Sequence, residues 1–167
     1  MKKLITLILF VFLAGCSFTP LFTEQNQQDV LKQTAYIRID PISDIDGVKL
    51  KELLSARLKT DQQQEKKYEL KITLTEKTIG DVSIQTTSFS SRSRLILTAN
   101  YQLIDIKTKQ ILDSGSTNIG QSYNLTTPYS TYIAKKKAKD NLIKVLSDNI
   151  SLKLFSYFKQ QGATVEG

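Results

Sequence analysis

Between Tyr68 and Leu74, apolar and polar residues alternate strictly: Tyr68, Leu70, Ile72 and Leu74 against Glu69, Lys71 and Thr73. Strand side chains point alternately to two faces, so this pattern predicts a strand, ending near Ile79, with one buried and one wet face. The same period returns from Arg94 to Ile104. Leu95, Leu97, Ala99, Tyr101 and Leu103 take one face, and Arg94, Ile96, Thr98, Asn100 and Gln102 the other. Asp105 to Lys109 reads as a hairpin loop and Gln110 to about Asn124 as the returning strand, with Gly115 and Gly120 suggesting bulges. The Ser- and Thr-rich stretch from Asp81 to Ser93 reads as irregular or as a frayed strand extension. Upstream, Ala35 to Asp40 alternates Ile37 and Ile39 with charge, and Pro41 stops that strand.

Two stretches change to a helical period. Val48, Leu50, Leu53, Leu54 and Leu58 follow helical spacing, with Lys49, Lys51, Glu52 and Lys59 outside, and Asp44 or Asp46 as the cap. A longer helix is predicted from about Tyr132 to Phe158, capped by Ser130 or Thr131. Its apolar stripe is Ala134, Ala138, Leu142, Val145, Ile150, Leu152 and Phe155. The order is β-α-β-β-β-α. The simplest closure is α+β: two helices packed on one face of a four-stranded, mostly antiparallel sheet, with a crossover after the first strand.

The chain opens differently. Lys2 and Lys3 precede an apolar run from Leu4 to Leu13, then Leu13-Ala14-Gly15-Cys16. A basic start, a short apolar core and a small-residue cleavage site describe a secretory signal peptide. A cysteine after that site makes it the lipobox of a bacterial lipoprotein, cut before Cys16 and acylated (palmitate among the chains) on the thiol and the new amino terminus. The run is shorter than the roughly 20 apolar residues of a membrane span. Each buried methylene contributes about 0.8 kcal/mol, so several acyl chains anchor where one does not. The expected organisation is a signal peptide over 1–15, a lipidated tether over 16–33, one domain over 34–159 and a disordered tail over 160–167. Within the tether, Phe18-Thr19-Pro20-Leu21-Phe22 reads either as a segment near the headgroups or as one that packs on a partner.

Composition narrows the chemistry. Histidine is absent and Cys16 is the only cysteine. A histidine-bearing triad, a Cys–His zinc site, a free thiol nucleophile and a disulfide are therefore excluded in the lipidated chain. No Ser–Lys hydrolase motif is visible. The expectation is a protein that is not an enzyme and carries no cofactor or metal. The net charge is +7; without Lys2 and Lys3, 21 basic residues face 16 acidic ones, which leaves +5. Outside the cytoplasm that excess points to phospholipid, lipopolysaccharide or an acidic protein rather than nucleic acid, or serves only solubility.

Cys16-Ser17-Phe18-Thr19-Pro20-Leu21-Phe22 resembles the mature start of the lipopolysaccharide-assembly lipoproteins (the LptE family), often Cys-Gly-Phe-x-Pro-Leu-Tyr. The order of elements is similar too: a strand, a leucine helix, a Tyr-x-Leu strand, an arginine-bearing approach to a third strand, then Ser122-Tyr123-Asn124. The final helix, with Tyr132-Ile133-Ala134 and Ala138-Lys139-Asp140, looks like that of alphaproteobacterial members. The likeness covers about residues 13–158. Ser17 and Phe22 depart from the family's Gly and Tyr, and Lys135-Lys136-Lys137 is more basic than its usual stretch. The resemblance implies two helices on a four-stranded sheet and an outer-membrane lipoprotein on the periplasmic side. Such a protein plugs and helps assemble a large β-barrel translocon (the LptD-type partner) and assists lipopolysaccharide insertion into the outer leaflet. Ser17 also lacks the Asp that marks inner-membrane retention in many bacteria. Two other readings stand beside it: an accessory lipoprotein of a phospholipid transport system, and a serine or lysine hydrolase of cell-wall material.

Candidate sites follow. Guanidinium forks match phosphate oxygens, and Arg92 and Arg94 stand where the family carries basic residues tied to lipopolysaccharide. They read as phosphate ligands or as solvated strand-end charges. Lys135, Lys136, Lys137 and Lys139 oppose the macrodipole at a helix start and read as a lipid or acidic-partner contact (Lys135 and Lys136 as further phosphate ligands) or as a solvated face. Thr86, Ser88, Ser90, Ser122, Asn124 and Thr126 are the expected barrel contacts, or ordinary loop composition.

Overall fold

The computed structural model describes residues 24–60, 63–81, 84–85, 88–89 and 91–163. The expected signal peptide, Cys16, Thr86 and Ser90 lie outside them, as does the side chain of Ser88. The elements are α1 (Glu24–Ala35), β1 (Ile37–Ile39), α2 (Asp44–Leu58), β2 (Tyr68–Asp81), β3 (Ile84–Gln85), β4 (Ser88–Phe89), β5 (Ser91–Asp105), β6 (Ile111–Leu125) and α3 (Pro128–Ala163).

Four strands form one sheet in the order β1-β2-β5-β6. β1 pairs parallel to β2, from Ile37 beside Tyr68 to Ile39 beside Leu70. β2, β5 and β6 form an antiparallel meander. The stretch read as irregular or as a frayed strand extension does extend this hairpin: β2 runs on to Asp81, β5 starts at Ser91, and β3 pairs with β4 between them. The fold is the expected α+β arrangement, with one helix more.

The period-two pattern decides what is buried. Leu70 and Ile72 of β2 and Leu95, Leu97, Ala99, Tyr101 and Leu103 of β5 point to one face. Ile37 and Ile39 of β1 join them. Leu50, Leu54 and Leu58 of α2 close that face, with Ala138, Leu142, Ile143, Leu146, Ile150, Leu154 and Phe158 of α3. Full burial of one such side chain contributes about 1.5–3 kcal/mol, so this single layer is the main source of stability.

Several expectations are corrected. The tether ends ten residues early, because Glu24–Ala35 is helical and docked. Val30 packs against the core, and the buried Thr34 hydroxyl donates to the Leu58 carbonyl at 2.8 Å. At the other end α3 runs to Ala163, into the expected tail. It also begins a turn earlier than expected. Pro128 takes the first helical position, where its missing N–H costs nothing, and the cap is Thr127, whose hydroxyl oxygen accepts the Ser130 N–H at 3.3 Å. Thr131 reaches back and accepts the Thr126 N–H at 3.0 Å. The α3 stripe is rotated from the expected one: Val145 and Leu152 are 45% and 53% exposed, while Leu146 and Leu154 are buried. In α2, Ser43 stands at the cap position without a side-chain cap bond, and Asp44 and Asp46 sit inside the first turn, where the macrodipole favours carboxylates.

The two β6 glycines serve close approach, not bulges. A Cβ on Gly115 would stand 2.8 Å from the Tyr101 ring, and one on Gly120 would stand 2.9 Å from Arg94 Nε. The register shift lies instead between Leu103 and Ile104, beside the hairpin loop.

Candidate functional site

The face of the sheet opposite the helices is built by the other half of the alternation. Register aligns its side chains in cross-strand rows: Lys71, Gln102 and Ser114; Thr73, Asn100 and Ser116; Thr75, Thr98 and Asn118. Lys77, Ile96 and Gly120 follow, then Ile79, Arg94 and Ser122. No helix of the described residues covers these rows. The two central rows carry no charge, and Asn118 donates to Thr98 Oγ1 at 2.9 Å across them. At about 3.3 Å per residue, strands of fifteen residues make this face roughly 45 Å long. It offers many neutral hydrogen-bonding groups on a rigid support.

Arg92 and Arg94 stand at the far end of that face, two residues apart and both exposed. Arg92 Nε donates to Asn124 Oδ1 at 3.3 Å. The missing side chain at Gly120 leaves room for Arg94 Nε. Neither guanidinium has a carboxylate partner among the described side chains. The expected barrel contacts Ser122 and Asn124 are exposed beside these arginines, and Thr126 is exposed in the turn into α3. The structure thus brings Arg92, Arg94, Ser122 and Asn124 together.

It divides the lysines. Lys135 binds Glu76 Oε1 at 2.8 Å, and Lys139 bridges Glu76 at 2.7 Å and Asp46 at 2.8 Å. Lys49 binds Asp140 at 2.6 Å, and Arg57 pairs with Asp148. These pairs bolt α3 to β2 and α2. Burial works against the Glu76 carboxylate, but hydrogen bonds from Lys135 and Lys139 hold it below the ordinary range. Burial likewise opposes the Lys139 charge, and its bonds to Asp46 and Glu76 outweigh that and raise it. Lys135 is thereby committed to an internal contact. Lys136 and Lys137 project from α3 without an ion pair among the described residues. A reading of four equivalent lysines misses Glu76, which lies about sixty positions away in the chain.

A second ion cluster closes the β1 edge. Arg38 Nη2 donates to Glu69 Oε1 at 2.6 Å, and Asp40 lies 3.7 Å from Arg38 Nε. The Arg38 hydrogen bond holds Glu69 low, while burial raises Asp40. Among the described residues no group of three His, Cys, Asp or Glu side chains is placed to hold a metal ion, and no helix is long and apolar enough to cross a membrane.

The sequence matches no family model and no curated protein. Solved structures do match. A candidate lipoprotein from Caulobacter crescentus CB15 superposes with a TM-score of 0.62 at 18% identity, covering 78% of this chain and 96% of that one. A minor lipoprotein from Acinetobacter baumannii superposes with a TM-score of 0.52 at 14% identity, covering 72% and 88%. The fold is one that bacterial lipoproteins use. At these identities the likeness extends to the layers and their order. The Arg92–Arg94 pair, the bare sheet face and the ion-paired bolt belong to this chain's own residues.

Tyr129, Tyr132 and Ile133 are not singled out by the sequence pattern of core and cap. On the first turns of α3, Tyr129 and Tyr132 are largely exposed and Ile133 is a little under half exposed. Their helical spacing, continued by Lys136 and Lys137, is the available signal.

Proposed function

We propose that this chain is a non-enzymatic, lipid-anchored lipoprotein of the outer membrane. It faces the periplasm, seats within a β-barrel lipopolysaccharide translocon of the LptD type, and assists lipopolysaccharide insertion. The observation that carries the reading is the bare sheet face, neutral in its two central rows, flanked by Lys71 and Lys77 and ending in two exposed arginines. The lumen of a large outer-membrane barrel is polar and wet, and a rigid face of Thr, Ser and Asn can exchange its water for lumen groups at little cost. The lipobox ending in Cys16 supports the anchor and the address. The fold shared with bacterial lipoproteins fits this, and the LptE-type resemblance of the Cys16–Phe22 segment supplies the finer assignment. Arg92 and Arg94 are the phosphate ligands in this reading. Lys135 drops out because Glu76 holds it.

The test is a gentle-detergent pull-down of the tagged, lipidated protein from its own membranes. A stoichiometric large β-barrel is the expected companion. Recovery alone, or with an inner-membrane ATPase complex, sinks the translocon reading and moves the phospholipid-transport reading to first place.

A further inference from the structure

The first turns of α3 carry a stripe that neither the core nor the ion-pair bolt uses. Tyr129, Tyr132, Ile133, Lys136 and Lys137 recur at steps of three, one, three and one, the spacing of a single helix face. Tyr129 is 76%, Tyr132 63% and Ile133 44% exposed. The flanking charges are otherwise engaged: Lys135 and Lys139 by Glu76, and Asp140 by Lys49. The stripe therefore holds two tyrosines, an isoleucine and two cations, and the carboxylate next along the same face, Asp140, is held by Lys49.

The order along the helix matters. The tyrosines lead, and the lysines follow within about 12 Å at 1.5 Å per residue. Tyrosine rings settle at the headgroup level of a bilayer, with an apolar body and a polar tip. Lysine stems lie along apolar surface and lift their ammonium groups to the phosphates. With α3 starting at Pro128, Lys136 and Lys137 stand in its third turn, beyond the reach of the macrodipole at the helix start.

We infer that this stripe docks on the surface of an anionic phospholipid bilayer: Tyr129, Tyr132 and Ile133 enter the interface, and Lys136 and Lys137 meet the phosphates. A lipid at the amino terminus fixes where the protein is held. The stripe fixes how it is oriented. This contact does not rest on the translocon reading and competes with it, since α3 starts at Pro128, three residues after β6 ends beside Arg92.

The chain contains no tryptophan, so Tyr132→Trp supplies a single depth probe at an exposed position. Leu152→Trp supplies a control about 30 Å further along the same helix. Each full chain is reconstituted on phosphatidylglycerol–phosphatidylethanolamine vesicles with brominated acyl chains, and on phosphatidylcholine vesicles brominated in the same way. Expected is a blue shift and quenching of the indole at position 132 on the anionic vesicles only, lost when Lys136→Glu and Lys137→Glu are added. The indole at position 152 should stay unquenched throughout. Circular dichroism unchanged from the parent shows that these variants fold. A chain that floats with anionic vesicles while the probe at position 132 stays unquenched overturns the stripe and leaves the anchor standing. Equal quenching at the two positions, or equal quenching on both kinds of vesicle, also overturns it. A chain that floats with neither overturns both the stripe and the lipid anchor.

Discussion

Leu97 and Thr98 are adjacent on β5, yet one is sealed in the core and the other faces out beside Asn118. The same contrast repeats along the strand, and it separates two tasks. The leucine face folds the protein: it touches both long helices and tolerates little change. The threonine face contributes little to stability, so its composition is free to answer to a partner. That face, neutral in its two central rows with Lys71, Lys77, Arg92 and Arg94 around them, is therefore the more informative half of the sheet.

The sharpest way to break this comparison is to probe the two faces at neighbouring positions. Leu97→Ala is expected to destabilise by about 2–5 kcal/mol, read as a lowered urea midpoint. Thr98→Ala should cost no more than about 1 kcal/mol, the span of strand preference. Comparable losses at both positions would mean that the outer face is structural.

A smaller effect is expected at the bolt. Glu76→Gln should cost about 1 kcal/mol, since partly exposed ion pairs are individually weak. Its pH dependence is more telling. The folded Glu76 titrates below its unfolded value, so its contribution is present above the unfolded pKa and fades as pH falls through the folded one. Parent and variant stabilities should converge as pH falls from the unfolded glutamate value of about 4.3 into stronger acid. A gap that persists into acid would place the cost in packing rather than charge.

The smallest stability effect belongs to Arg92→Ala/Arg94→Ala, within about 0.5 kcal/mol. Lipopolysaccharide binding should nevertheless fall by at least about tenfold, as expected when two charge-assisted contacts are lost. Unchanged binding would return both arginines to ordinary solvated charge.

Much of the fold is legible in the sequence. The alternation in β2 and β5 specifies two strands, their shared face and the outward placement of Arg92 and Arg94. What the pattern misses has physical reasons. Residues 24–33 read as a tether because Glu, Gln and Asn dominate their first half, and only Val30 and, just beyond them, Thr34 report the docking. The α3 stripe comes out of phase because Val145 and Leu152 are apolar residues left on the wet side. Gly115 looks like a bulge in one dimension, and only the Tyr101 ring across the strand shows why it is small. The tyrosine stripe is readable but merges into a generic helix. The lysine run cannot be sorted from its own neighbourhood, because the partner carboxylate lies on a distant strand.

β6 has a further consequence. It is the last strand of the sheet, fifteen residues long, with Asp113 as its only charged side chain. Asp113 accepts a hydrogen bond from the Tyr101 hydroxyl at 3.0 Å, and Lys153 of α3 donates to the Ser116 carbonyl at 2.9 Å. Free sheet rims are usually guarded by lysines, prolines or bulges against unwanted strand addition. This rim is long and thinly guarded, so the molecule at high concentration has a built-in route to self-association. A protein kept sparse on a membrane, or enclosed by a partner, never meets that hazard.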